Sequence, residues 1–263
     1  MRTDHFRIIL GKEWIDLRAN KLLLAAVVAP AFIFAAIPTA IVWLLQVNDV
    51  DTSQLGQIEE ILAAFPGMPP KLAAQGFIVS NFMAYFLLIP AMVPMVIASQ
   101  SVIGERQTRS LEPQLATPLE IPEFIAAKTV AAAAPALLAT WLVYVLYGLV
   151  NGWIADPRLR SLVFSDVWLV AMLTLVPLIS LFSVLLGVIV SSRVDDPRVA
   201  QQVGGFVVLP IVAVAVLQFL GGQATFTMEQ VLMGDALVAG AIGVMLIFGS
   251  WAFDREGILT RLA

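Results

Sequence analysis

Five stretches of this sequence run without a single charged residue for longer than the roughly 20 residues of helix that cross the hydrocarbon of a bilayer. They are Leu22 to Gln46, Gly76 to Gly104, Thr129 to Ala155, Val167 to Ser192 and Val199 to Thr227. A sixth, Val231 to Phe253, is interrupted only by Asp235 near its start. Inside lipid every backbone N–H and C=O must be satisfied within the chain, so runs of this length fold as helices or not at all. Composition agrees: charged residues make up 13% of the chain and apolar ones 60%, where a soluble domain carries about a quarter charged. The expected fold is therefore all-α and polytopic. It has six transmembrane helices at about 22–46, 76–102, 129–151, 167–191, 199–220 and 231–253, within a membrane domain of residues 22–253.

The first run follows a basic segment as a secretory signal would. It is longer than a signal core and is preceded by some twenty polar-rich residues, so it reads as a retained span. Orientation follows from the arginines and lysines of the short connections. With the N-terminus in the cytoplasm, twelve of the fifteen fall inside, and only Lys71, Arg158 and Arg160 fall outside. Both termini are then cytoplasmic, residues 254–263 form a cytoplasmic tail, and the acidic connection with Asp49, Asp51, Glu59 and Glu60 is external.

Residues 1–21 place Phe6, Ile9, Leu10, Trp14 and Leu17 at helical spacing, with Lys12, Glu13 and Arg18 between them. This predicts an amphipathic helix lying in the headgroup plane, anchored by Trp14 and attracted to anionic lipid by its basic residues. The plainer alternative is a cytosolic extension of the first span. Pro30, Pro38, Pro90 and Pro94 predict kinks in the first two spans. Gly148 and Gly152 form a GxxxG pair that permits close helix packing.

Several chemistries are excluded. There is no cysteine, and the only histidine is His5, so thiolate-ligated metals, H-E-x-x-H zinc sites and serine–histidine dyads are absent. No G-x-x-x-x-G-K-[ST] occurs; "LGKEW" at Leu10 to Trp14 lacks both the upstream glycine and the hydroxyl. The chain binds no ATP through that motif, no catalytic residue is expected, and energy for active transport has to come from a partner. Within the spans, Ser80, Asn81, Tyr85, Thr174, Ser180, Ser183 and Gln218 are polar. Interhelical or local hydrogen bonds account for such residues; the sharper reading makes Asn81, Tyr85 and Gln218 part of a translocation path.

One segment departs from all this. "GERQTRSLEPQLATPLEIPEFIAAK", residues 104–128, is polar and proline-rich between two apolar runs. Thr117-Pro118-Leu119-Glu120 fits a capping box with proline at the first helical position, and Ser110 is placed to cap a turn through Leu111, Glu112 and Pro113. The prediction is one or two short, stiff helices with Leu111 and Leu115 on one face and an acidic rim, a shape suited to docking on another protein.

This segment resembles the cytoplasmic loop of the ABC-2 type permease family, whose pattern runs E-R-E-x-G-T-L-E-x-L-L-A-T-P with a lysine before the next span. Glu105, Arg106, Leu111, Glu112, Leu115, Ala116, Thr117, Pro118 and Lys128 match; Arg109, Ser110 and Gln114 depart. "ILGKEWIDLRANKLLL", "DDPRVAQQVGGFVVLP" and "FDREGIL" are similar to further family segments in the same order. The resemblance implies the membrane subunit of an ATP-driven exporter in a bacterial or archaeal cytoplasmic membrane. It would work with a second permease subunit, identical or not, and two cytosolic ATPase subunits that bind the ATP and magnesium; no cofactor is expected on this chain, and no nucleic acid among its partners. Loop 104–128, with Glu105, Arg106, Leu111, Glu112, Pro113, Leu115, Thr117 and Pro118, would couple the ATPases to the spans. Charge-poor spans suit a hydrophobic or amphipathic cargo better than a free ion. The rival reading is a stand-alone six-span channel or membrane scaffold.

Overall fold

The structure is a computed structural model that describes residues 10–12, 14–15, 17–48, 58–107, 121–191, 193–194, 196–220 and 226–252. The described residues are helical throughout apart from turns, with no strand among them, and six helices are long and apolar enough to cross a membrane.

Asn20 separates the helical residues 17–19 from the first long helix. It is extended (φ -91°) and its side-chain oxygen accepts from the Leu23 amide at 3.0 Å, so α1, Lys21–Val47, starts on an asparagine N-cap. α1 continues through Pro30 and Pro38 without interruption. After the short α2, Ile58–Ala64, the chain turns at Phe65-Pro66-Gly67-Met68. Met68 donates to the Phe65 carbonyl and Gly67 takes φ 78°, which a side chain would oppose; proline followed by glycine suits such a turn.

The second span starts earlier than the apolar run indicates. α3, Pro70–Met83, opens at Pro70 with proline at its first position, ahead of the expected Gly76. Lys71 lies within this first turn, and its ammonium donates to the Gln46 carbonyl at the end of α1. A single 3-10 turn, Ala84–Leu87, then leads into α4, Leu88–Gln107. Pro90 explains the tightening: it has no N–H to give the Phe86 carbonyl, and its ring crowds that oxygen.

α5, Ile121–Ile154, enters the bundle before the expected Thr129, so the connection lacking described structure narrows to residues 108–120. The short α6, Pro157–Val163, folds back on its C-terminal end. Its N-cap Asp156 accepts from the Arg158 amide at 2.8 Å, and the Arg158 guanidinium bonded to the same carboxylate holds it below the usual carboxylate range. The GxxxG pair serves this small turn rather than two spans. A Cβ on Gly148 would lie 2.7 Å from the Phe164 ring, and one on Gly152 would lie 2.8 Å from Cβ of Arg160.

The fourth span is broken. α7, Asp166–Leu173, and α8, Leu175–Ser191, meet at Thr174, where Pro177 denies the Leu173 carbonyl its helical donor. α9, Pro197–Leu220, and α10, Met228–Ala252, complete the bundle.

α4 occupies the centre. It packs along α8, α9 and α5, while α1 lies on α5 and α3, and α10 lies mainly on α8. α4 and α8 approach closely: a Cβ on Gly187 would meet Ala98 Cβ at 3.1 Å, Met95 Sδ at 3.2 Å and the Met95 carbonyl at 3.3 Å. Beside it the Ser183 hydroxyl donates to the Ala91 carbonyl at 2.8 Å.

Candidate functional site: the helix pair around the polar connection and the polar groups of the bundle

α4 runs from the bundle centre to Gln107, and α5 returns at Ile121, so the connection 108–120 hangs between two helices that are packed against each other. Glu105 and Arg106 lie in the last turn of α4. Leu111, Glu112, Pro113, Leu115, Thr117 and Pro118, with the capping box they were expected to form, lie outside the described residues.

Close to the base of the connection is a lysine that the sequence marked only by pattern. Lys128 on α5 is buried, at 6% exposure, and its ammonium donates to the Ser101 hydroxyl of α4 at 2.6 Å. A buried ammonium is tolerated only where its hydrogens find acceptors. This bond braces α5 against α4 on the bundle side of the connection, so the two helices cannot separate there without uncovering the charge. The signal in the sequence is a single lysine at the edge of an apolar run; the partner, 27 residues away, carries none.

At the same end of the chain as α1, Trp14 and Ile15 are exposed and Leu17 is buried. The Arg18 guanidinium sits 4.9 Å from the Trp14 ring centroid, one helical turn away, in cation–π range. Lys12 is exposed; Glu13 lies outside the described residues.

Of the three residues expected to line a path, Asn81 is buried and turns its amide back to the Phe77 carbonyl at 3.0 Å. Tyr85 falls in the 3-10 turn, which changes the helical phase that would have placed it directly over Asn81. Its ring is half-buried between Phe82, 5.4 Å away, and Phe34, 6.4 Å away. Gln218 is buried near the end of α9 and reaches Gln230 of α10 at 3.5 Å. No hydrogen bond joins the three to one another.

The denser polar cluster consists of residues that sequence reasoning passed over. At the end of the bundle away from connection 108–120, Gln75 donates to the Val42 carbonyl at 3.2 Å and to Gln46 at 3.1 Å. Asn151 donates to Thr39 at 3.0 Å and to the Tyr147 carbonyl at 2.9 Å. The Tyr147 hydroxyl reaches the Val79 carbonyl at 3.2 Å, and that of Tyr144 the Val163 carbonyl at 2.7 Å. Three of these six bonds end on main-chain oxygens of a different helix and two on side chains of α1, which fixes α1, α3, α5 and α6 to one another. At the break in the fourth span the Thr174 hydroxyl lies 2.9 Å from the Val170 carbonyl and 2.7 Å from Oδ2 of Asp235 on α10. Among the described residues there is no group of histidine, aspartate and glutamate able to hold a metal ion. What the arrangement can do is hold helices in register and transmit displacement between them.

Comparison with known proteins identifies the family. The sequence model described as ABC-2 family transporter protein matches residues 48–233, from the end of α1 to the first turns of α10. No curated protein and no solved structure matches the chain. With most of its length matched and six helices fit to cross a membrane, the chain belongs to the ABC-2 transporter family and is a membrane-spanning permease subunit of an ABC transporter.

Proposed function

We propose that this permease works as an exporter subunit in a bacterial or archaeal cytoplasmic membrane, driven by two cytosolic ATPase subunits and paired with a second permease chain. ATP and magnesium belong to the ATPases. In this reading segment 104–128 is the coupling element: Leu111 and Leu115 seat against the ATPase and Glu112 faces a basic or donor group on it. Residues 1–21 lie in the headgroup plane of the same side, with Trp14 and Arg18 at the surface.

The observation that supports this reading most is the continuity of α4. It passes from the buried contact with α8 to Gln107, where the polar connection begins, and the Lys128–Ser101 bond braces the returning helix against it. Twenty residues of helix extend about 30 Å. A push on the connection is therefore delivered to the bundle centre by a rigid rod rather than absorbed by a loose loop. The apolar surfaces that α9 and α10 leave uncovered, with Phe206, Leu217 and Leu237 exposed, are available to lipid and to the second permease.

Glu112→Lys tests the coupling. Losing one partner of a buried interfacial charge pair costs about 2 to 5 kcal/mol, and reversing it costs at least that. Insertion and monodispersity in detergent should match the parent, while co-purification of the ATPase, or its substrate-stimulated hydrolysis, falls at least about tenfold. Glu59→Lys in the acidic connection should change neither. A Glu112→Lys complex that couples hydrolysis to transport as the parent does would return segment 104–128 to the role of a solvated connector.

A further inference from the structure

The second and fourth spans are broken in the same way. In the second, the 3-10 turn Ala84–Leu87 separates α3 from α4, and Pro90 has no N–H to give the Phe86 carbonyl. In the fourth, Thr174 separates α7 from α8, and Pro177 has none to give the Leu173 carbonyl. Helix that has lost a rung of its hydrogen-bond ladder bends more readily than the intact helix on either side, and a 3-10 turn within a helix is a common hinge. Each of these spans is thus two stiff halves on a joint.

The halves are fastened to different neighbours. The inner ones hold each other: Ser183 of α8 donates to the Ala91 carbonyl of α4 at 2.8 Å, and one turn later a Cβ on Gly187 would meet the Met95 carbonyl at 3.3 Å and Ala98 Cβ at 3.1 Å. These contacts fall on either side of Pro94, so α8 splints α4 across that proline. The outer halves are held by α5 instead. The Tyr147 hydroxyl donates to the Val79 carbonyl of α3 at 3.2 Å, and the Trp141 indole to the Met172 carbonyl of α7 at 2.8 Å. The Tyr144 hydroxyl donates to the Val163 carbonyl at the end of α6, just ahead of the N-cap Ser165 of α7, at 2.7 Å. α5 serves the two sets from opposite sides of its own Pro135. Before that proline Lys128 bonds Ser101 of α4; after it come Trp141, Tyr144 and Tyr147.

We propose that α4 and α8 turn as one body on these joints, while α3, α6, α7 and the outer part of α5 stay together as a collar. Pro90, Pro135 and Pro177 mark the line between the two bodies, and the Lys128–Ser101 bond carries the inner part of α5 along with α4. α4 is twenty residues long. A turn of about 10° at its joint displaces its far end, about 30 Å away, by about 5 Å. The sixth span meets the same line, because the Thr174 hydroxyl donates to Asp235 of α10 at 2.7 Å. The push that drives the turn rests on the coupling role of segment 104–128, whereas the joints belong to the chain by itself.

Distances between paired spin labels, measured on the full permease chain alone in lipid nanodiscs, test this without any ATPase. The chain has no cysteine of its own, so each introduced pair reports alone. Labels at Met92 and Val190 read the α4–α8 body, labels at Leu149 and Asp166 read the collar, and labels at Gln100 and Asp166 span the joints. The first two pairs should each give one narrow distance, and the spanning pair a distribution broader by about 5 Å. Pro90→Ala combined with Pro177→Ala returns the missing donors; it should narrow the spanning pair to the width of the other two and leave those unchanged. A spanning pair as narrow as the others in the parent would overturn the proposal, as would a Met92–Val190 distribution as broad as the spanning one. A correctly inserted double variant in which the spanning pair stays broad would place the motion away from the prolines and equally refute it. Should the double variant fail to insert, the three distributions of the parent decide. Uncoupling by Glu112→Lys together with a narrow spanning pair would keep the coupling role and remove the joints; a broad spanning pair with coupling intact in Glu112→Lys would do the reverse.

Discussion

The second span and the last two have nearly the same apolar character, yet they are used differently. In the second, 78% of the residues in its most apolar window are buried; in the fifth and sixth the figures are 12% and 11%. Hydropathy therefore reports which helices enter the membrane and is silent on which of them form its interior. The difference lies in the small and hydroxylated positions. Gly187, Ala98 and Ser183 let α8 come within contact of the α4 backbone, whereas a Cβ on Gly205 of α9, or on Gly240 or Gly243 of α10, would meet nothing within 4 Å. In lipid there is little hydrophobic gain from pairing apolar helices, so close backbone approach and hydrogen bonds decide the pairing.

Two substitutions press on that contrast. Gly187→Leu forces an isobutyl side chain between α8 and the Met95 backbone. Overpacking of a tight core costs about 1 to 3 kcal/mol and occasionally more, so the variant should lose most of its folded yield and show a clearly lowered unfolding midpoint in detergent. Gly240→Leu, facing open space, should express and unfold like the parent. Equal damage from both would erase the distinction between hub and flank. A smaller effect sharpens it: Ser183→Ala removes one interhelical hydrogen bond, worth about 0.6 to 1.7 kcal/mol in membrane proteins, while Phe206→Ala, at 70% exposure on α9, should stay within about 0.5 kcal/mol of the parent. Chemical unfolding in mixed micelles reads both.

How much of this was visible in the chain follows the same physics. The six spans were legible because a bilayer demands long uncharged helices, and the sequence supplies them with charged residues only at their margins. Their ends were less so: Lys71 marked a boundary by its charge, but its ammonium bonds the Gln46 carbonyl and allows α3 to begin at Pro70. The break at Thr174 was hidden because leucines flank it on both sides, although Pro177 was a signal that the helical ladder fails there. Partners were not legible at all. Nothing local to Lys128 specifies Ser101, and nothing local to Asn151 specifies Thr39, more than a hundred residues earlier. Asp235 is the lone acid in its apolar run, but nothing local to it specifies the Thr174 hydroxyl, 61 residues earlier, that donates to it. The expected coupling residues from Leu111 to Pro118 lie outside the described residues, so for them the sequence pattern and family membership carry the argument.

The central claim, that segment 104–128 is where the ATPases take hold, is tested most directly by contact. A photo-crosslinking amino acid at position 112 or at position 59, in the permease assembled with its ATPase in membranes, reads it in one gel. The account predicts a covalent adduct between permease and ATPase from position 112 and none from position 59. An adduct from position 59 with none from position 112 would place the ATPase on the other side of the bundle and contradict it.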